Sequence, residues 1–111
     1  MIEGDDFLAA VLPRQHEAEL ALHNGDARPR KMLWSHKDPV TVLGAARTAN
    51  GRAAVEALFD WLASNFSNCA STELEVTAAG VSGDLGYIVG TEHTTASIGG
   101  ESPAPYRFGS L

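Results

Sequence analysis

Cysteine and basic residues are both scarce in this 111-residue chain. Cys69 is its single cysteine, which excludes an intramolecular disulfide and suits a reducing compartment. Eight Lys and Arg residues stand against 14 Asp and Glu residues, giving a formal net charge of −6. This balance argues against nucleic acid and against an anionic membrane surface as the main partner, because both attract basic patches. The one basic cluster, "ARPRK" at 27–31, is interpreted as a solvated turn.

Long apolar runs are also absent. No stretch approaches the roughly 18 apolar residues of a membrane-spanning helix. The N-terminus carries Asp5 and Asp6 where a secretory signal peptide needs positive charge. The sequence therefore predicts a soluble, cytoplasmic protein. Its composition, 44% hydrophobic and 20% charged, is typical of a globular chain, and its length predicts a single domain over residues 1–111.

Three segments have helical patterns. Residues 5–24 carry apolar side chains at helical spacing and end at an Asn-Gly pair. Pro13 within this segment predicts either a kink or the first turn of a second helical piece. A short helix is expected over 26–34, with its first residue as the N-cap. The clearest helix carries one apolar stripe from Val55 to Phe66.

The remaining segments have strand patterns. "DPVTVLGA" at 38–45 is rich in β-branched residues and predicts a short strand. Apolar and polar residues alternate over 73–78, "SGD" at 82–84 predicts a hairpin turn, and 85–96 predicts the returning strand. A third strand begins in "YRFGSL" at 106–111. Helices followed by a strand meander predict an α+β fold, with the helices on one face of a curved antiparallel sheet.

Three stretches carry a family resemblance: "ALHNGDARPRKMLWSHKDPVTVLGA", "GRAAVEALFDWLASNF" and "ELEVTAAGVSGDLGYIVGTEHTTA". In these stretches and in the order of its elements, the chain resembles the SnoaL-like branch of the NTF2-like superfamily, which includes polyketide cyclases and ketosteroid isomerases. The resemblance implies a cone-shaped α+β fold, with about three N-terminal helices on the sheet. It also implies an apolar cavity for a small hydrophobic or polycyclic molecule, and a homodimer. No cofactor is expected.

Two features depart from that family. Its members usually finish with two long strands, whereas here the third strand has barely begun at Leu111. About 20 to 30 residues are therefore expected to be missing relative to a typical domain, leaving an exposed sheet edge. Ketosteroid isomerases also carry a general-base aspartate on the first strand, where this chain has Val42 or Leu43. Neither side chain accepts a proton, which disfavours a classical isomerase.

Glu92 and His93 are neighbours in one predicted strand, so they point to opposite faces. A two-residue turn at Gly83-Asp84 pairs Leu74 with His93 and turns His93 inward; a three-residue turn over 82–84 turns Glu92 inward instead. We expect His93 inside, because a buried Glu92 has no cation on its own hairpin. The inward residue is the predicted catalytic, proton-handling group. The alternative is a hydrogen-bonded core residue without a catalytic role.

"WSHKDP" precedes the first strand, where the mouth of a cone is expected. Its Trp34, His36 and Asp38 alternate, and His36 with Asp38 would form an acid–base couple; the alternative is that Asp38 caps a turn. Together with Trp61 and Tyr87, these three residues are predicted to shape the substrate cavity.

Metal binding is not predicted, because the four histidines have no companions at a ligand spacing such as H-x-x-x-H. His16 and His23 are assigned to the polar side of the first helix. Two functional interpretations follow. The first is a domain that binds a small hydrophobic molecule and acts on it by acid–base isomerisation, cyclisation or dehydration. The second is a non-catalytic binding or dimerisation module. An enclosed pocket with a polar group at its base supports the first, and a filled cone with an apolar outer sheet supports the second.

Overall fold

The structure combines an N-terminal helix with a three-stranded antiparallel sheet. It is a computed structural model that describes residues 5–44 and 47–110. The helices are α1 (Asp5–Leu22), α2 (Arg28–Leu33) and α3 (Arg52–Asn65). The strands are β1 (Thr41–Leu43), β2 (Thr48–Asn50), β3 (Phe66–Ser82), β4 (Leu85–Ile98) and β5 (Ala104–Ser110). β1 and β2 form a hairpin, and the larger sheet has the order β3-β4-β5. The α+β expectation is confirmed at this level.

No helix in the described ranges is both long and apolar enough to cross a membrane.

The boundaries differ from the predicted ones mainly in the β-region. α1 and α3 lie where expected, and α1 continues through Pro13 as one helix. β3 begins at Phe66, where the apolar stripe of the predicted helix ends, so this strand is far longer than 73–78. β2 was not predicted from the sequence. Ala45 and Leu111, the last residues of two predicted strands, lie outside the described residues.

Two helix boundaries are made by glycine and by a distant side chain. Gly25 follows α1 with φ of 95°, a left-handed conformation in which glycine avoids the Cβ penalty. Gly51 precedes α3 with φ of 88°. The N-cap of α3 has no side-chain oxygen of its own. Instead, the backbone N–H of Arg52 donates to Oδ1 of Asp38 at 2.7 Å, which satisfies one of the free donors of the first turn.

The apolar core lies among the helices and the β1–β2 hairpin rather than under the large sheet. Its buried members are Leu22, Ala27, Val40, Val42, Ala49, Val55, Leu58, Phe59 and Ala63. In the described part of β3–β5, by contrast, the only buried apolar side chain is Ala96. The other buried side chains of this sheet, Thr72, Thr94 and Ser97, are polar. The buried side chains in this described part of the sheet are therefore small or polar, and they form no apolar layer.

A β-bulge in β3 sets which side chains of β4 face α1. The turn is the expected two-residue one, and Ser82 pairs with Leu85. The register then shifts by one residue at Thr77, so that Val76 pairs with Gly90 and Leu74 with Glu92. A bulge needs close backbone approach, and a Cβ on Gly90 would lie 2.4 Å from the carbonyl oxygen of Glu75.

Candidate functional site

A cleft of about 300 Å³ lies between α1 and the inner face of the sheet. α1 contributes Leu12, Gln15, His16 and Glu19 to its lining. The sheet contributes Thr72, Glu73, Leu74 and Glu92. Two leucines thus share the cleft with the carboxylates of Glu19 and Glu92, which makes it a mixed rather than an apolar site.

Glu92 lies at the centre of the polar contacts in this cleft. Its side chain retains 18% exposure, and its Oε2 accepts a hydrogen bond from Oγ1 of Thr94 at 2.8 Å. Thr94 Oγ1 also lies 2.9 Å from Oγ1 of Thr72. A hydroxyl has one hydrogen, so with that hydrogen directed at Glu92, Thr72 must donate to Thr94. Both threonines are buried, and this chain of hydroxyls fixes the orientation of the carboxylate.

His23 stands behind Glu92, at the last turn of α1. Its Nδ1 lies 2.7 Å from the backbone carbonyl oxygen of Glu19, one turn earlier. Its Nε2 lies 3.6 Å from Oε2 of Glu92, and its ring meets Phe66 edge-on with centroids 4.5 Å apart. The side chain is only 4% exposed. Burial lowers the pKa of the His23 imidazole, and the nearby Glu92 carboxylate opposes that shift.

Arg30 of α2 supplies the cation of the site. Its Nη1 forms an ion pair and hydrogen bond with Oε1 of Glu19. Its guanidinium lies 4.9 Å from the ring centroid of Phe59 and 5.8 Å from that of Trp34. Burial lowers the pKa of Arg30 to about 10, with Glu92 acting in the opposite direction, so the group stays charged at neutral pH.

The expectation that His93 faces inward is wrong, and the bulge at Thr77 is the reason. His93 pairs with Glu73 on the outer face, its side chain is 45% exposed, and its Nε2 lies 3.2 Å from Oε1 of Glu75. Glu92 takes the inward position instead. Glu92 was expected to face outward because its own hairpin carries no cation. The cation that interacts with its charge is Arg30, which comes from α2.

The other predicted cavity residues lie outside the lining of this cleft, as far as the described residues go. Trp34 packs edge-on against Phe59 in the helical core, with centroids 5.2 Å apart. Trp61 lies under the guanidinium of Arg47, 4.0 Å from its carbon. Tyr87 is 52% exposed and covers Gly80 on the outer face.

The proposed acid–base couple of "WSHKDP" is not assembled. His36 is exposed in the segment between α2 and β1. The Oδ1 of Asp38 instead accepts the backbone N–H of Arg52, so this carboxylate caps α3, in keeping with the capping alternative. Val42 and Leu43, where the resemblance predicted the place of a general base, also lie outside the cleft lining. Val42 belongs to the helical core, and Leu43 is exposed.

The group formed by Glu19, His23 and Glu92 was not predicted from the sequence. One potential ligand atom from each can be chosen so that all lie within 4.8 Å of one another. The spacing of Glu19 and His23, i and i+4 on one helix, was the available signal, because such residues share a face. His23 is buried rather than on a polar helix face, which corrects its assignment. The share of Glu92 depends on the bulge and has no sequence signature that could be recognised.

Comparison with known protein families, with curated protein sequences and with solved structures returned no match.

Proposed function

We propose that this chain is a SnoaL-like domain of the NTF2-like type, and that it binds a small molecule in the cleft between α1 and the sheet. The observation that carries the proposal is the Glu92 carboxylate, which lies in the cleft lining and is oriented by Thr94. The inferred NTF2-like cone would be formed by the inner faces of β3 and β4, with α1 over them. The cleft volume of about 300 Å³ is at the lower end of the range for ligand pockets.

The lining supports a particular kind of ligand. Leu12 and Leu74 offer apolar contact, whereas Glu19 and Glu92 offer only acceptors when ionised. A small, largely apolar molecule with a hydroxyl or amine donor fits both parts. A carboxylate in a partly dehydrated cleft makes stronger hydrogen bonds than one in water. Glu92 would accept a hydrogen bond from that donor. The ion pair with Arg30 offsets the negative charge of Glu19 in the same cleft.

The same arrangement supports proton transfer as the reaction type. An oriented carboxylate within reach of a bound molecule can accept a proton from it, and isomerisation, cyclisation and dehydration each require such a transfer. In this role Glu92 would be the catalytic residue, while Thr94 and His23 would be positioning residues. No cofactor enters this proposal.

The experiment is a fragment screen by ligand-observed NMR, followed by mapping of amide shifts on the protein. We expect ring compounds with an amine or hydroxyl donor to shift residues of α1 and of β3–β4 around the cleft. Hydrogen bonds to charged groups contribute about 1.5–3 kcal/mol, so Glu92→Gln should weaken these fragments by roughly 10- to 100-fold. Glu101→Gln, an exposed change in the turn before β5, is the matched control. Fragments that map elsewhere, or that bind Glu92→Gln unchanged, would refute the proposal.

A dimerisation module is the second candidate, and one observation favours it. Leu85 and Tyr87 are 71% and 52% exposed at the hairpin end of β4, where they offer apolar area to a second copy. The expected homodimer would then use this end of the sheet. Sedimentation of the protein and of a Tyr87→Ser variant distinguishes the two functions, since only a dimer through this surface would dissociate in the variant.

A further inference from the structure

Glu19, His23 and Glu92 bring three potential metal ligands of two types to one point of the fold. His23 directly follows α1, one turn after Glu19, and Glu92 reaches them from β4. The distance from Nε2 of His23 to Oε2 of Glu92 is 3.6 Å. Two ligands held at about 2.1 Å from a tetrahedral ion lie roughly 3.4 Å apart. Small side-chain rotations would therefore bring these atoms to coordinating distance.

The hydrogen bond at Nδ1 of His23 makes Nε2 the atom available to an ion. The partner of Nδ1 is a backbone carbonyl oxygen at 2.7 Å, which only accepts, so the ring proton resides on Nδ1. In the neutral ring, Nε2 then presents a lone pair. An imidazole whose second nitrogen donates to a backbone carbonyl is the usual arrangement of a metal-binding histidine.

The Nε2 atom of His23 faces a carboxylate in a nearly buried position. The His23 side chain is 4% exposed, and Nε2 is directed at the carboxylate of Glu92, beyond hydrogen-bond distance. A lone pair opposite a carboxylate is repulsive unless a positive charge lies between them. A metal ion bound to both atoms would supply that charge.

We propose that His23 Nε2 and carboxylate oxygens of Glu92 and Glu19 bind a divalent first-row transition metal at the inner end of the cleft. One nitrogen and two oxygen ligands suit Zn²⁺, with Co²⁺ as its spectroscopic substitute. Thr94 and Arg30 hold the two carboxylates from behind, as outer-shell residues do. Three protein ligands leave a coordination position open toward the cleft. The site does not depend on the small-molecule proposal.

Arg30 limits the affinity of this site. With His23 neutral, the two carboxylates and Arg30 sum to one negative charge, and a divalent ion changes this sum to one positive charge. We therefore expect weaker binding than at a site without a guanidinium. Glu19 would bind the ion through Oε2, because the ion pair with Arg30 uses Oε1. Oε2 lies 3.9 Å from Nδ1 of His23, so the Glu19 side chain would rotate toward Nε2 on binding.

The test is isothermal titration of the untagged, chelator-treated protein with Zn²⁺, together with visible absorption of the Co²⁺ form. We expect one ion per chain and an absorption band typical of low-coordinate Co²⁺. His23→Gln and Glu92→Gln should each weaken Zn²⁺ binding by at least about 10-fold, the loss expected even for an outer-shell change. His36→Gln, which alters an exposed histidine outside the cleft lining, should leave it unchanged.

The two ligand variants guard against a loss of folding, which circular dichroism would reveal. If His23→Gln unfolds, Glu92→Gln still tests the site, because its side chain is partly exposed and keeps its shape. Absence of Zn²⁺ and Co²⁺ binding in the wild type would overturn the proposal. Equal binding by His23→Gln and the wild type, or loss of binding in His36→Gln, would overturn it as well.

Discussion

Gly90 is predicted to be required for the register that turns Glu92 inward. In Gly90→Ala, the new Cβ would lie 2.4 Å from the carbonyl oxygen of Glu75 and 3.2 Å from Cδ1 of Leu74. The first contact is with backbone, so it is relieved only by moving β3 away from β4. Overpacking of this kind costs about 1–3 kcal/mol. The same substitution removes about 0.4–1 kcal/mol of unfolded-state freedom, which offsets part of the cost.

The matched control is Gly109→Ala, since a Cβ on Gly109 meets nothing within 4 Å. Urea unfolding monitored by circular dichroism should give a Gly90→Ala variant less stable than Gly109→Ala by about 1–3 kcal/mol, because both variants lose the same unfolded-state freedom and only Gly90→Ala is overpacked. For a chain of this size, that difference corresponds to roughly 4–12 °C in Tm. Equal stability of the two alanine variants would show that the bulge does not depend on close approach at Gly90, and would refute the reasoning.

Two further predictions concern charges. Arg30→Met should lower the free energy of unfolding by about 2–4 kcal/mol, because it leaves Glu19 largely buried without its cation. Adding Glu19→Gln to the same chain should restore more than half of the lost stability, as measured by urea unfolding. No recovery would contradict the pairing. Hydrogen bonds from Arg28 lower the pKa of Asp26 to about 2. The stabilisation from Asp26 is therefore present above its ordinary pKa of 3.8 and lost as the pH falls toward 2. A ¹³C titration of Asp26 should show its midpoint rising in Arg28→Gln, and an unchanged midpoint would exclude this pair as the cause.

The helices were predictable because their signals are local. The apolar stripe of α3 and the Asn-Gly end of α1 each lie within a few turns of sequence. The two-residue turn at Gly83-Asp84 was equally local, and it is confirmed. β2 was missed because a three-residue strand has too little sequence to form a pattern.

The site was less predictable because it depends on distant pairs. One unpaired residue, Thr77, shifts the pairing of β3 with β4 by one residue, so that Leu74 pairs with Glu92 rather than with His93. Arg30 is the cation that interacts with the inward carboxylate of Glu92, and more than half of the chain separates the two residues. Only the Glu19–His23 spacing was readable, as two ligand types on one helix face.

The separation of the apolar core from the large sheet has a consequence for how the molecule opens. The helices and β1–β2 share the buried apolar side chains, whereas β3–β5 are stabilised mainly by backbone pairing and small polar groups. Amide hydrogens of β4 and β5 should therefore exchange through a partial opening that leaves α3 protected. The cleft lies across the boundary between these two units. A ligand or ion bound by both α1 and Glu92 would slow amide exchange in the sheet without slowing it in α3. Binding would therefore stabilise the less stable unit against partial opening.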